Sequence, residues 1–514
     1  MESAREFLDF LYQKGVRMWA QNGQLHYRAP KGKLLPEDLQ RLRTLKVQVM
    51  DSLQLGITAV DEPLQPRGPG TAIPLAGLQL VVWNYLRSKA EPRASYARFC
   101  IVGARICGPL DVGSLERSLE SLIHRHESLR TRIVEVDGDV RQQIDEVGEY
   151  QIKTVDVVGG NTADTREQLD CFIQEFVEEK ITWDSGPFFA ARLFKLSNHE
   201  HVLVLSIDHM ITDGVSNEIL LRELLTLYRE KTLGLAPLLP PLRLQFGDYA
   251  VWQQQRNQLW LEKNERYWKE HLQGAPRIQL PFDSHLTEES PPVGAMVESR
   301  LGKPLTIGLR NLARRTQTLP ALVMFTVYLV MIARWCGQRD IRVTFVENGR
   351  FRPELLNMIG WLTNHIHLRV EMRETETFVE LLNRVTREFY AGCSRQDYNQ
   401  VDLLIPECSD DTAGGGLYFN WLPTAYENYE MGQRLETEQE ISVQEFTVRK
   451  RESPAFTLGV FFSDSGEDIS VLVAYRTDRF VRDTIESFVK NVPLFAKQFI
   501  QSPRAPVGSM SFVK

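Results

Sequence analysis

The chain has 514 residues, of which 43% are hydrophobic and 25% charged, and its formal net charge at pH 7 is −7. These fractions are those of an ordinary soluble globular protein. No apolar run approaches the ~20 residues of a membrane-spanning helix, and residues 1–5 (MESAR) lack the layout of a signal peptide. We therefore expect a cytoplasmic protein with no membrane contact. The six cysteines show neither zinc-ligand spacing nor a disulfide framework, so no metal is expected.

Residues 1–60 are predicted to form a small α/β-hairpin unit, followed at 61–70 by a linker too rich in Pro and Gly for regular structure. Apolar residues at helical spacing predict a first helix over 4–13. The Asn-Gly dipeptide at 22–23 separates two alternating segments, which is a strong signal for a β-hairpin. A second helical stretch is predicted after Pro36.

The charge of this unit differs from that of the rest of the chain. The first fifty residues hold nine Lys or Arg against five Asp or Glu, a balance of +4 that leaves −11 for the remainder. The unit resembles the tubulysin-type N-terminal docking domains of synthetase proteins, particularly at 15–19 (GVRMW) and 25–32 (LHYRAPKG). The resemblance implies that the hairpin binds the acidic C-terminal tail of an upstream synthetase protein by adding a strand. The candidate contacts are Arg17, Arg28, Lys31 and Lys33.

The alternative is an ordinary solvated hairpin. Nucleic-acid binding is not expected, because the basic cluster is small and lacks interleaved stacking aromatics.

The central segment of the chain combines an apolar run with a polar cluster. Residues 201–207 (HVLVLSI) are typical of a strand buried on both faces, and 216–228 has helical spacing. Between them lie Asp208, His209, Asp213 and Gly214, so the cluster is predicted to sit where a strand meets a helix. On its own, this pattern also fits a buried histidine and a helix-capping aspartate.

This segment resembles the His-His-x-x-x-Asp-Gly motif of nonribosomal peptide synthetase condensation domains, which belong to the chloramphenicol-acetyltransferase-like superfamily. Asp208 replaces the first His. Six further blocks of that family are matched in order, at least in part, at 74–79 (PLAGLQ), 125–131 (RHESLRT), 246–252 (FGDYAVW), 359–364 (IGWLTN), 396–398 (QDY) and 475–480 (YRTDRF). In the first block the usual Ser and Arg are replaced by Ala76 and Val81. The resemblance extends over roughly 71–510.

The resemblance implies an α/β, two-lobed condensation fold, a pseudo-dimeric V, with an N-lobe at 71–275 and a C-lobe with C-terminal linker at 276–514. Two carrier proteins would insert phosphopantetheine arms into a tunnel between the lobes, one bearing an acyl or peptidyl thioester and the other an aminoacyl amine. The domain would join them by an amide bond without a bound cofactor. The chain is expected to be the N-terminal didomain of a larger protein.

The resemblance also assigns roles to individual residues. His209 would accept a hydrogen bond or a proton from the attacking α-amine and align it. Asp213 would pair with Arg350 to hold the turn, and Gly214 would leave room for the substrate arms. Asn364 closes the fifth block. His365 and His367, which follow it, are either water-exposed strand residues or substrate contacts.

Alternatives to plain condensation remain open. Asp208, Asp213 and Ser216 also satisfy the Asp-x-x-x-x-Asp-x-x-Ser pattern of heterocyclization domains, although those domains normally lack His209 and Gly214. Residues 359–363 and 419–422 are similar to parts of epimerization domains, which stand at the end of a module and not behind a docking domain. A non-catalytic member of the fold that recruits or gates carrier proteins is the third alternative, because Asp208 occupies a His position.

Overall fold

In the computed structural model, the described residues are 11, 16–21, 24–28, 34–46, 64–88, 99–146, 150–157, 162–179, 188–283, 294–350, 352–395, 416–422, 434–435, 441–446, 457–509 and 512. Lys31, Lys33 and the predicted block at 396–398 lie outside them. So does the predicted helix at 4–13, except for Leu11, which is helical and buried. No single helix among the described residues is long and apolar enough to cross a membrane. The helices Lys303–Arg315 and Pro320–Cys336 reach that length and apolar character only when they are taken together, and the chain bends by 105° between them.

The predicted N-terminal hairpin is confirmed. Strands β1 (Arg17–Gln21) and β2 (Gln24–Arg28) pair antiparallel on either side of the Asn-Gly dipeptide. The second predicted helix is present as α1 (Pro36–Thr44). The Asp38 carboxylate accepts a hydrogen bond from the Leu35 amide at 2.9 Å, and this acidic first turn suits the positive end of the helix dipole.

The linker before the large domain is irregular, as predicted, but its described part is packed against that domain. Residues 64–70 contain no helix or strand, and Leu64 is buried. Arg67 donates to Glu127 at 2.8 Å and to Asp248 at 2.8 Å. One linker residue therefore joins the sequence blocks at 125–131 and 246–252.

Two six-stranded sheets and a small three-stranded sheet form the large domain. The small sheet has the order β3 (Ile73–Pro74), β6 (Asp139–Ile144) and β5 (Thr131–Val136). The N-terminal sheet has the order β14 (Arg434–Leu435), β15 (Ile441–Glu445), β4 (Phe99–Cys107), β9 (Glu200–Asp208), β8 (Phe189–Ser197) and β7 (Lys153–Asp156). Only β7 and β8 pair parallel in it.

Helices cover both faces of the N-terminal sheet. They are α2 (Gly77–Ser88), α3 (Val112–Arg125), α4 (Thr162–Glu178) and α5 (Gly214–Leu233). On β9, Val202 and Val204 pack with α4, whereas Leu203, Leu205 and Ile207 pack with α3 and α5. This double coverage explains why β9 is apolar on both faces, as predicted.

The C-terminal sheet has the order β10 (Gly294–Arg300), β17 (Ile469–Arg476), β16 (Leu458–Asp464), β13 (Leu417–Leu422), β11 (Asp340–Glu347) and β12 (Asn364–Glu371). The long helix α6 (Phe246–Leu272) precedes this sheet in the chain. The helices that pack on the sheet are α7 (Lys303–Arg315), α8 (Pro320–Cys336), α9 (Phe378–Cys393) and α10 (Arg482–Gln501). Helix α8 is buried throughout 321–333, so it is the central helix of this lobe. The predicted two-lobed α/β fold is confirmed.

One strand from the C-terminal part of the chain belongs to the N-terminal sheet. Strand β15 comes from the C-terminal part of the chain, but it pairs antiparallel with β4 of the N-terminal sheet, with Glu445 opposite Ala104. A side-chain carbon at Gly103 would overlap the backbone oxygen of Phe446, so glycine permits this approach. Helix α6 also spans the lobes, because Tyr249 packs in one cluster with Ile73 and Ala76 of the N-lobe while Trp268 lies in the C-terminal core.

Candidate active site

The polar cluster lies at the turn between β9 and α5, where the sequence predicts it. Asp213 is the N-cap of α5 in extended conformation, and its Oδ1 accepts a hydrogen bond from the Ser216 amide at 2.8 Å. Gly214 is the first residue of the helix. Asp is a favoured N-cap because its short carboxylate reaches an amide that the helix leaves unpaired.

Asp213 is also the centre of a network that joins the two lobes. Arg350 donates to both of its carboxylate oxygens at 2.9 Å, and both side chains are almost completely buried. The amides of Leu362 and Thr363 donate to Oδ2 at 3.0 and 3.1 Å. Burial alone would raise the pKa of Asp213, but Arg350 and these hydrogen-bond donors lower it below its ordinary value. The carboxylate is therefore ionised and fixed in position.

Ser216 forms the second link between the lobes. Its hydroxyl donates to the Gly360 carbonyl at 2.9 Å and accepts from the Gly360 amide at 3.1 Å and from Arg350 Nη2 at 2.8 Å. One donor and two acceptor positions are thus all occupied. A side-chain carbon on Gly360 would overlap the ring of Phe246, so the loop approaches α6 closely only with glycine there.

Asp208 stabilises the turn that follows β9. Its carboxylate accepts a hydrogen bond from the Met210 amide, two residues further on, at 2.9 Å, and the residue is fully buried. This arrangement is an Asx-type turn. The carbonyl of Met210 in turn accepts from Gln79 of the first sequence block at 2.5 Å. The residue in the position of the missing histidine therefore has a structural contact in the turn.

His209 follows β9 directly and is mostly buried. Its ring lies 4.5 Å from the indole of Trp361, centroid to centroid, and no hydrogen-bond partner of its Nδ1 occurs among the described residues. Burial lowers the pKa of His209, but a hydrogen bond with the Cys100 sulfur, attraction to it and the Asp213 carboxylate together raise the pKa to about 9. At pH 7 the imidazole is therefore largely protonated.

Two further histidines lie near His209 on β12. Burial lowers the pKa of His365 to about 4, and the neighbouring His209 contributes to this shift. His367 is buried, and its Nδ1 lies 3.0 Å from the hydroxyl of Thr344. The interpretation of His367 as a water-exposed residue is thus wrong, because its side chain is buried and hydrogen-bonded to Thr344. His209 and His365 differ in charge at pH 7, which is an arrangement typical of acid–base sites.

The structure brings together some of the predicted site residues and separates others. Asp208, His209, Asp213, Gly214, Ser216 and Arg350 form one cluster. Asn364 begins β12 near it, and its side-chain oxygen accepts from the His365 amide at 2.9 Å. Arg17 and Arg28 lie in the N-terminal hairpin. Sequence reasoning missed Cys100 and Trp361 as neighbours of His209 and missed Glu218 on α5, whose burial raises its pKa to about 7.

No group of three or more His, Cys, Asp or Glu side chains in the described part of the chain has an arrangement suited to a metal ion.

Two family models match the sequence. The condensation domain model matches residues 71–514, and the TubC N-terminal docking domain model matches residues 5–54. Surfactin synthase subunit 2 of Bacillus subtilis (strain 168) is 30% identical over 413 residues, which is 79% of this chain and 11% of the relative. Tyrocidine synthase 3 of Brevibacillus parabrevis is 28% identical over 410 residues, or 79% of this chain and 6% of the relative. The chain thus spans only about a tenth or less of the length of these curated relatives.

Solved structures share the fold at low identity. The X-domain from teicoplanin biosynthesis has a TM-score of 0.73 at 22% identity and covers 88% of this chain and 100% of its own. The first condensation domain of the calcium-dependent antibiotic synthetase has a TM-score of 0.70 at 16% identity, covering 87% and 100%. The EpoB cyclization-docking bidomain from Sorangium cellulosum has a TM-score of 0.70 at 18% identity, covering 97% and 99%.

Proposed function

Because the chain belongs to the condensation domain family of nonribosomal peptide synthetases and carries a TubC N-terminal docking domain, we propose that it joins two carrier-bound substrates. The donor is an acyl or peptidyl thioester on an upstream carrier protein, and the acceptor is the amine of an aminoacyl group on a downstream carrier. Both arrive on phosphopantetheine arms, so the domain itself needs no bound cofactor. A cytoplasmic location remains a prediction.

The observation that carries this proposal is the position of His209. The residue sits on a rigid turn that Asp213, Arg350 and Ser216 tie to the second lobe. A side chain held from both lobes keeps its geometry when substrates enter between them. With its pKa raised to about 9, His209 is suited at pH 7 to donate a hydrogen bond to the thioester oxygen, on which negative charge develops. This donor role differs from the acceptor role that the sequence suggested.

The magnitudes favour positioning as the main source of catalysis. A free α-amine has a pKa of roughly 7.7 to 8.0, so an appreciable fraction is already neutral at pH 7 and needs no strong base. Alignment of two tethered reactants can supply about 7 to 11 kcal/mol, whereas positioned proton transfer supplies about 3 to 5 kcal/mol. The interface between the lobes should therefore contribute more than any single side chain.

The docking proposal rests on charge in the N-terminal hairpin. Arg17 and Arg28 occupy directly opposite positions in the register of β1 and β2. Like charges directly opposite each other destabilise an antiparallel pair, and an anionic partner relieves that repulsion. We therefore propose that the hairpin binds the acidic C-terminal tail of the upstream synthetase protein, with Lys31 and Lys33 as further candidate contacts.

The proposed function is tested with loaded carriers. Donor and acceptor groups are attached to the cognate carrier proteins, mixed with the wild type or with His209→Ala, and the products are measured by intact mass. His199→Ala is a matched control, because His199 is exposed on the turn between β8 and β9. We expect the acceptor carrier to gain the donor acyl mass, with a steep loss in His209→Ala only.

Each other outcome favours an alternative. A further loss of water would favour heterocyclization. No transfer from a verified cognate pair would contradict condensation and favour a gating or recruitment role.

A further inference from the structure

Trp361 lies in the loop before β12 and is in contact with His209. The centroids of the indole and imidazole rings are 4.5 Å apart, and the two ring planes are tilted by 39°. The indole is half-buried and packs against the hydrophobic core of the N-terminal lobe as well as against the cluster around Phe246. An aromatic ring from the C-terminal part of the chain thus covers the candidate catalytic histidine.

The main chain on both sides of Trp361 is tied to the turn that bears His209. The Gly360 amide donates to the Ser216 hydroxyl at 3.1 Å, and the Gly360 carbonyl accepts from the same hydroxyl at 2.9 Å. The Leu362 amide donates to Asp213 Oδ2 at 3.0 Å. Because these bonds flank Trp361, its backbone has a fixed position relative to the turn.

The buried nitrogens of the two rings make no hydrogen bond within the described part of the chain. This is true of Trp361 Nε1 and of His209 Nδ1. A functional histidine is commonly oriented by a hydrogen bond at its second ring nitrogen. In His209 the contact with the indole supplies a restraint of this kind, because it limits rotation of the imidazole.

An indole also stabilises a positive charge placed against its face. The π system of tryptophan is negative on its faces, and a cation within about 6 Å of the ring centroid is attracted to it. The imidazolium form of His209 lies within this distance, whereas the neutral form gains no such attraction. The usual strength of the contact corresponds to a rise of about 0.4 to 1.5 pH units in the midpoint of protonation.

Three other titratable groups act on the charge of His209. They are Asp213 at the same turn, Cys100 on β4 and His365 on β12. Arg350 compensates the charge of Asp213. Burial, and then His209, lower the pKa of His365 to about 4, so His365 is neutral at pH 7 and above. A substitution of Trp361 leaves all of these side chains in place.

We propose that Trp361 is a positioning residue for His209, and that its indole holds the imidazole in one orientation and stabilises the protonated form. The inference rests on the proposed function, because that function assigns the protonated imidazole a donor role toward the thioester oxygen. Trp361 acts through His209 and needs no contact with the substrate. The family resemblance includes the block at 359–364 but assigns no role to residue 361.

The first experiment measures the protonation of His209 and needs no carrier protein. Histidine is labelled with carbon-13 at Cε1, the ring signals are titrated by NMR, and the His209 signal is identified by its absence in His209→Ala. We expect Trp361→Leu to lower the midpoint by about 0.4 to 1.5 pH units, and Trp361→Phe, which keeps an aromatic face, to lower it less. An unchanged midpoint in Trp361→Leu would overturn the proposal.

Trp335→Leu is the matched control for the loss of a half-buried indole. Trp335 lies on α8, and its ring packs on Phe480 and Phe488. Its substitution should lower the melting temperature without a change in the His209 midpoint. Equal midpoint changes in Trp335→Leu and Trp361→Leu would overturn a specific role of Trp361.

A fluorinated tryptophan at position 361 tests the charge effect without the loss of packing. Fluorine weakens the negative potential of the ring face at nearly constant shape, and amber suppression places the residue at this position only. The His209 midpoint should fall at an unchanged melting temperature, which keeps the test valid if Trp361→Leu folds poorly. No change in the midpoint would overturn the stabilisation of the protonated form.

The second experiment follows condensation with loaded carriers as a function of pH. Above the optimum, the rate of Trp361→Leu should decline at a lower pH than that of the wild type, by the interval that the NMR titration gives. The maximal rate should be at least tenfold lower, because the imidazole is less well oriented. Trp361→Phe should recover most of this loss. A descending limb in Trp361→Leu identical to that of the wild type would overturn the role of Trp361.

These readouts separate the two proposals. A lowered midpoint in Trp361→Leu, with no condensation by the wild type from any cognate carrier pair, would contradict the proposed function and support the effect of the indole on His209. Condensation by the wild type with an unchanged midpoint in Trp361→Leu would leave the proposed function intact and overturn the role of Trp361.

Discussion

Asp213 and Arg350 are 137 positions apart in the sequence and form a two-pronged ion pair, with both nitrogen–oxygen distances at 2.9 Å. Each residue belongs to a different lobe, and both are buried. The pair therefore fixes the turn that bears His209 relative to the opposite lobe.

Asp213→Asn should destabilise the fold strongly. The substitution leaves the Arg350 guanidinium buried without its counter-charge, which typically costs about 3 to 5 kcal/mol. Urea denaturation of the variant and the wild type measures the change in the free energy of unfolding.

Asp111→Asn is the matched control for Asp213→Asn. Asp111 is the N-cap of α3 and accepts from the Ser114 amide, but it has no buried arginine partner. Its loss should cost about 1 kcal/mol or less. A well-folded Asp213→Asn that is merely slow would contradict the structural role of the ion pair.

Gly360→Ala should weaken the contact between the lobes. The added methyl group overlaps the ring of Phe246, so the loop or α6 must shift, at a cost of about 1 to 3 kcal/mol. The additional substitution Phe246→Ala should recover part of that loss, which a double-mutant cycle measures. Gly113→Ala in α3 is the control, because its nearest neighbour atom is 3.4 Å from the new carbon and alanine favours a helix. Equal effects of the two alanines would refute this account of Gly360.

Stability should fall with rising pH through the deprotonation of Glu218. Burial raises its pKa from 4.5 to about 7, so between these values the folded state binds more protons than the unfolded state. The contribution of this group to stability is therefore lost as pH rises through the window. Glu218→Gln should raise the melting temperature at pH 8 relative to the wild type and leave it nearly unchanged at about pH 4.5, where the wild-type side chain is already neutral. Glu167→Gln, at an exposed position on α4, should show no such trend.

The condensation rate should have a maximum at about pH 8 to 9. It rises as the acceptor amine loses its proton near pH 8, and it falls as His209 loses its own, with a pKa of about 9. His209→Ala should be about 10²-fold slower or more and should lack the descending limb. The pH profile is measured with loaded carriers, with a correction for thioester hydrolysis. An identical descending limb in the variant would remove His209 as the titrating group.

Charge reversal in the hairpin should weaken docking. Arg17→Glu and Arg28→Glu should each weaken binding of an acidic peptide carrying the upstream C-terminal tail at least tenfold, as measured by calorimetry. Wild-type affinity should also fall with added salt, because salt screens the attraction between surface charges. Arg43→Glu in the last turn of α1 is the control. Equal weakening by all three variants would indicate a non-specific effect of net charge.

The sequence predicts those parts of this fold that depend on neighbouring residues. The Asn-Gly dipeptide predicts the hairpin, and the apolar run before His209 predicts β9, because turn chemistry and periodicity are local. The pairing of Asp213 with Arg350 followed from the family resemblance, since no local pattern relates two residues so far apart. For the same reason the pairing of β15 with β4 was not predicted.

The neighbours of His209 depend on strand register and loop path. Cys100 reaches it through the alignment of β4 with β9, and Trp361 through the loop that Ser216 and Asp213 hold in place. Neither the strand alignment nor the loop path can be read from a single sequence, and an isolated cysteine or tryptophan is most often a packing residue.

Because β15 is made late, the N-terminal sheet cannot be completed until most of the chain has been synthesised. Every other long strand of the N-terminal sheet has emerged once β9 is complete, yet the edge of β4 stays open until residue 445 follows. At about 5 to 20 residues per second, that interval is roughly 10 to 50 s. During it, a row of unpaired backbone groups can capture a strand from another nascent chain. A chaperone that shields this edge, or a pause that keeps chains apart, would therefore raise the yield of active protein.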